Sequence, residues 1–264
     1  MKTFLIILIT VLLTGGVVGG GGWWYMKDKA TKEQQTLQTQ ISNLQKQADE
    51  LKIANSGDTT SWKSYSSKEL GLTFKYPEVW GEPVSHSEDY SSEKLNNPSF
   101  AGRSYSVCFS EGEYCVFGYS ADYKVYESAA GSYYIGDKKS LDVAETEVVK
   151  DSEKSTISFV QKAEAAGVKT SIKTYFYYLS EASGVGVSSL TFLNGKADYP
   201  GISISTHYED LSKSLQGLYE QSGFESEALT KQAQDELTAL KAGSSNYQIQ
   251  SNLYKLWLGT FSYL

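Results

Sequence analysis

Two histidines are the only imidazoles in the chain, and each opens the same kind of string: His86-Ser87-Glu88-Asp89 and His207-Tyr208-Glu209-Asp210. Imidazole beside carboxylate equips a metal site or a proton shuttle. Should His86 and His207 converge with their carboxylates and a hydroxyl, the chain could bind a metal ion or act as a cell-envelope hydrolase. The same residues also fit a plainer pattern. Ser85-x-x-Glu88 and Thr206-x-x-Glu209 match a capping box, in which hydroxyl and carboxylate satisfy backbone donors at a helix start. After the second of them an apolar stripe follows at helical spacing. The capping reading therefore predicts two helix starts and no joint metal site.

Other chemical signatures are missing. The chain has no G-x-S-x-G elbow, Walker loop, H-E-x-x-H or C-x-x-C. Gly184-Val185-Gly186 is too short for a dinucleotide fingerprint and precedes a strand pattern. No catalytic, cofactor-binding or metal-ligating residue is assigned, and no cofactor is expected.

The two cysteines lie together in YSVCFSEGEYCVFGY, residues 105–119. Pairing Phe109 with Tyr114 leaves Ser110–Glu113 as a four-residue loop. Tyr105, Val107, Phe109, Tyr114 and Val116 then share one face, and Cys108 lies opposite Cys115 on the other. Directly opposed strand residues sit within disulfide range. A Cys108–Cys115 bridge is expected if the domain is outside the cell, two free thiols if it is not.

The elements that would hold these residues begin with an apolar leader. Thr3 to Gly22 carries no charge over 20 residues, about 30 Å as a helix and enough to span a bilayer. Trp23, Trp24 and Tyr25 follow, then Lys27 and Lys29, the flank of a retained membrane anchor. A cleaved signal peptide is the rival reading. Lysine counts on the two sides favour a cytoplasmic C-terminus. The two-residue tail before the span and the paired cysteines favour an extracytoplasmic one, which is the reading adopted.

Residues 30–55 step apolar positions 4-3-4-3 through Leu37, Ile41, Leu44, Ala48 and Leu51. This is a heptad with Ile41 and Ala48 at a, and Leu37, Leu44 and Leu51 at d, the pattern of parallel dimers. A single amphipathic helix is the alternative. NSGDTTS, residues 55–61, marks the boundary to a folded region.

In that region Leu70, Leu72, Phe74 and Tyr76 alternate with Gly71, Thr73 and Lys75, a strand with one buried face that Pro77 ends. DSEKSTISFVQKAEAAG (151–167) reads as a helix stopped by Gly167. Residues 171–179, 187–193 and 201–206 read as strands, with Asn194-Gly195 as a turn. Three helical stripes follow: Leu211, Leu215 and Leu218; Leu229, Ala233, Leu237 and Leu240; Ile249, Leu253, Leu256 and Trp257. Strands followed by segregated helices predict an α+β domain, an antiparallel sheet packed with helices.

Trp62 and Tyr65, then Gly71-Leu72-Thr73-Phe74-Lys75-Tyr76-Pro77 with Trp80-Gly81, resemble the opening of PsbP-like α/β domains. The closing LYKLWLGTFSYL is similar to the last helix and strand of such domains. The resemblance covers both ends of the folded region and implies a non-enzymatic domain, found also on membrane-anchored bacterial proteins. The helical material at 209–242 departs from it.

The 264 residues carry 24 basic and 31 acidic side chains, a net charge of −7 with no basic cluster, which excludes nucleic acid as the expected partner. Twenty tyrosines suit sheet faces and binding surfaces. The expected organisation is an anchor over 1–25 held in membrane lipid, a stalk over 26–57 that can form a homodimer, and an extracytoplasmic α+β domain over 60–264. Its expected work is binding or scaffolding through the Tyr-rich sheet and loops, for a protein or cell-envelope ligand.

Overall fold

The structure, a computed structural model, describes residues 32, 34–42, 44–89, 102–121, 144–151, 156–180, 184–196, 198–223 and 226–264. The anchor expected at 1–25 and the start of the stalk lie outside them. Among the described residues no helix is long and apolar enough to cross a membrane. Residues 34–42 and 44–56 are helical. By its contacts the chain divides into two units, Met1–Asp49 and Glu50–Leu264.

The second unit is α+β, and its described strands pair antiparallel. A three-stranded sheet joins β1 (Lys63–Ser67), β2 (Leu72–Tyr76) and β11 (Ser262–Tyr263) in the order β1-β2-β11. An eight-stranded sheet contains β3 (Val84–Asp89), β4 (Arg103–Phe109), β5 (Tyr114–Tyr119), β6 (Val149–Asp151), β7 (Thr156–Ala165), β8 (Val168–Ser180), β9 (Gly184–Lys196) and β10 (Tyr199–His207). Its order is β3-β4-β5-β10-β9-β8-β7-β6. Three helices follow: α1 (Glu209–Ser222), α2 (Glu227–Ala242) and α3 (Gln248–Leu258).

One face of the large sheet is buried in two clusters. At the β4-β5 end, Val107, Phe109, Tyr114 and Val116 meet Leu72, Phe74 and Tyr76 of β2 and Leu253, Tyr254 and Trp257 of α3. At the β7-β8 end, Ile157, Phe159, Phe176 and Tyr178 meet Leu211 and Leu215 of α1 and Leu229, Ala233, Leu237 and Leu240 of α2. All three helical stripes thus turn their apolar residues inward, each buried leucine contributing about 2 kcal/mol. α2 is well delimited: Ser226 Oγ accepts the Leu229 N–H, and Gly243 closes the last turn in the left-handed region.

Four local expectations are corrected. The helix expected at 151–167 is instead strand, with β7 at Thr156–Ala165. Its Thr, Ile, Phe and Val fit a pleated surface, and burying Ile157 and Phe159 against α2 decides the outcome. Gly167 stops no helix. With Ala166 (φ 53°) and Gly167 (φ 70°) both left-handed, this pair makes the primed turn of a two-residue hairpin between Ala165 and Val168. Asn194-Gly195 is not a turn either. β9 runs through it to Lys196, and Asp198 sits in the turn. Gly195 is needed for closeness, since a Cβ there would lie 1.9 Å from the Tyr199 carbonyl oxygen.

Neither capping box forms. Ser85 and Glu88 lie in β3, which pairs with β4 along its length. Thr206 is the last pairing position of β10 opposite β5, and α1 begins after Tyr208 with no side-chain cap. In both places strand pairing satisfies backbone donors that the boxes would have served.

Candidate functional site

The opposite face of the large sheet follows from the strand register. Side chains alternate, so the residues between the core positions project away from the helices. Across the sheet, His86 pairs with Ser106, Ser106 with Phe117, Phe117 with Ser203, and Ser203 with Phe192. A second row runs Cys108, Cys115, Ser205, Leu190, Lys173 and Val160. A third runs His207, Ser188, Tyr175 and Ser158. Aromatic rings and small hydroxyls alternate over this face. Phe117, Tyr175, Leu190 and Phe192 are half-buried there, while Tyr119 and Tyr177 are buried among them.

Ring and hydroxyl contacts tie the face together. Tyr175 and Tyr177 have centroids 5.4 Å apart, and Phe117 stacks on Tyr119 at 6.2 Å. The Tyr119 hydroxyl lies 3.3 Å from Ser203 Oγ and the Tyr177 hydroxyl 3.5 Å from Ser188 Oγ. Gly186 makes room for Tyr177, whose hydroxyl oxygen would stand 2.6 Å from a Cβ at that position. The Gly184-Val185-Gly186 string therefore serves packing. Gly184 admits Gln216 of α1, whose Oε1 accepts the Val185 N–H at 3.0 Å. Burial pushes the Tyr175 phenol well above its ordinary pKa.

The two histidines do not converge. His86 and His207 are separated by three strand spacings and four residues of register, about 14 Å across the sheet and about 13 Å along it. His86 is exposed on edge strand β3 and lies 3.3 Å from its neighbour Glu88. Among the described residues no group of three or more His, Cys, Asp or Glu side chains could hold a metal ion.

His207 does meet a hydroxyl. Its Nδ1 stands 3.3 Å from Ser188 Oγ. Ser188 is buried, however, and its oxygen also lies beside the Tyr177 hydroxyl. A nucleophile must reach substrate, so this contact works as a brace between β9 and β10. Burial holds the His207 imidazole below its ordinary pKa of 6.5, while Glu209, Glu113 and a backbone hydrogen bond with Val187 pull the other way.

Between the depressed folded value and 6.5 the unfolded chain binds more protons, so stability rises with pH there. This contribution is complete above pH 6.5 and disappears as pH falls through the folded value. The urea midpoint of the wild type is expected to drop more than that of His207→Gln between about pH 7.5 and about pH 5. Equal drops in the two proteins would show that His207 carries no such linkage.

Behind the face, a seam of buried hydroxyls separates the two apolar clusters. Thr174 Oγ1 lies 2.6 Å from Ser189 Oγ, which lies 2.9 Å from the Tyr208 hydroxyl. The Tyr254 hydroxyl donates to the Ile204 carbonyl at 2.6 Å, and Gln250 Nε2 donates to the His207 carbonyl at 2.6 Å. Burial raises the phenols of Tyr208 and Tyr254. These groups satisfy one another and pin α3 to β9 and β10.

Cys108 and Cys115 are bonded to each other, with Cα atoms 4.1 Å apart. The hairpin register pairs them directly, with Phe109 opposite Tyr114 and a short 3₁₀ turn over Ser110–Gly112. The bridge lies on the same face as Phe117 and Tyr119, one row away.

Comparison with family models, with curated proteins and with solved structures finds no match.

Sequence reasoning missed the membership of this face. Its signal was present as period-2 strings, Phe117-x-Tyr119 and Tyr175-x-Tyr177. Each string alone fits a buried or an open side, and only the strand order collects them onto one surface.

Proposed function

We propose that the domain is a binding or scaffolding module that works through the aromatic and hydroxyl face of its large sheet. The observation that carries this reading is one surface that brings half-buried Phe117, Tyr175, Leu190 and Phe192 together with half-buried Ser205. Rigid rings give contact area at low entropic cost, and the half-buried Ser205 hydroxyl offers an adaptable hydrogen bond beside them. The separation of the histidines and the burial of Ser188 support a non-enzymatic role. So does the resemblance of the domain's two ends to PsbP-like domains. The apolar leader with its aromatic and lysine flank supports display of this domain from a membrane, on the extracytoplasmic side.

The test uses the full chain in its own membranes. Carbonate washing is expected to leave the chain with the lipid fraction. A partner cross-linked to the wild type from the cell envelope is expected to fall at least about tenfold with Phe117→Ser, Leu190→Ser and Phe192→Ser combined. Near-UV circular dichroism of that variant should keep the wild-type signature. Undiminished cross-linking by a folded triple variant would overturn the assignment of the binding surface, and release by carbonate would overturn the anchor.

A further inference from the structure

The helical residues 34–42 and 44–56 carry an apolar stripe that is exposed among the described residues. Leu37, Ile41, Leu44 and Leu51 are 58%, 55%, 65% and 43% exposed. Isolated exposed leucines are ordinary, but four at heptad spacing on one helix form a seam. The last helical residues, which belong to the unit Glu50–Leu264, meet its core through other positions. Ile53 and Ala54 pack against the core cluster that holds Trp257. In the heptad Ile53 is f, opposite the a/d seam, while Ala54 is g, on the flank of that seam, at 100° per residue. Within Glu50–Leu264 the core therefore covers the back and one flank of these last helical residues and leaves Leu51 open.

We infer that this seam is covered by a second copy of the same chain, as a parallel two-stranded coiled coil over residues 34–55. Flanking positions fit a self-pair. The g and e residues that meet across such a seam are Gln40 with Gln45 and Gln47 with Lys52. Neither pair sets like charges together, so identical chains approach without repulsion. Orientation follows from the polar a positions, Gln34 and Asn55. In a parallel pair each amide faces its own copy and can hydrogen-bond to it. An antiparallel pair with the stripe aligned sets Gln34 against Leu51 or Asn55 against Leu37, which leaves an amide opposite a leucine. Ile at a with Leu at d selects two strands. The inference is independent of the reading of the sheet face.

The experiment is oxidative cross-linking of the full chain in detergent, with the native cysteines already bonded to each other. Leu37→Cys places a thiol at a d position, and Thr39→Cys places one at f, pointing away from the seam. Copper-phenanthroline is expected to convert Leu37→Cys chains to disulfide dimers at least about tenfold faster than Thr39→Cys chains. An antiparallel pair would hold the two position-37 thiols well over a turn apart, so only the parallel register gives that result. Light scattering of the detergent-solubilised wild type is expected to give a two-chain protein mass. Equal cross-linking at the two positions, or a one-chain or three-chain mass, would overturn the proposal.

Discussion

Trp257→Ala is expected to lose about 3–5 kcal/mol of unfolding free energy, the range for deleting a buried tryptophan from a packed core. Trp257 is fully buried on α3 and meets the rings of Phe74, Trp80, Phe109, Tyr114 and Phe261 at centroid distances of 5.2 to 6.0 Å. These partners come from both sheets, the 3₁₀ turn at Glu78–Trp80 and the segment after α3, so the cavity left by alanine would have rigid walls that cannot collapse together. For a domain of this size the melting temperature should fall by roughly 10 °C or more. Trp257→Phe separates packing from polarity. The Trp257 indole N–H is buried without an acceptor among the described residues, so phenylalanine removes that donor while keeping a ring. It is expected to cost clearly less than half of the alanine change. Urea unfolding of both variants checks this, and equal losses would mean that the ring stack is not what holds α3 to the sheets.

Cutting the Cys108–Cys115 bridge is expected to cost about 2.5 kcal/mol, the loop-closure value for so short a separation. The bridge closes only the Ser110–Glu113 end of one hairpin, whose register is also held by five other paired positions. A native fold should therefore persist in Cys108→Ser with Cys115→Ser, with a lowered denaturant midpoint and an unchanged urea dependence. The wild type should move to the same midpoint under dithiothreitol. Alkylation after denaturation, with and without reductant, checks the bridge directly by mass. Two thiols alkylated without reductant would show that it does not form.

Several parts of the fold were legible because the pattern that announces them is local. Leu229, Ala233, Leu237 and Leu240 repeat at helical spacing and bury together on α2. Leu72, Phe74 and Tyr76 alternate and bury together on β2. The four-residue loop between Phe109 and Tyr114 places Cys108 opposite Cys115 whatever lies around it. Residues 151–167 misled because charged and alanine residues suit a helix, whereas Ile157 and Phe159 had a partner in α2 that no local window contains. The capping boxes misled for a related reason. A hydroxyl and a carboxylate three residues apart cap only a backbone that has no strand partner, and β4 and β5 supply one.

From its own order of residues, this chain determined where apolar stripes fall, which strands carry one buried face, how the hairpin at 105–119 turns and where a heptad seam runs. Each depends on neighbours within a few positions, where periodicity and turn chemistry act. Only the tertiary structure decided that the described strands form two sheets, that β5 lies beside β10, and that Phe117, Tyr175 and Phe192 share one surface while His86 and His207 stay apart. Those outcomes depend on which distant strands pair. That choice is made by burying both ends of one sheet face at once, under α3 with the small sheet and under α1 with α2.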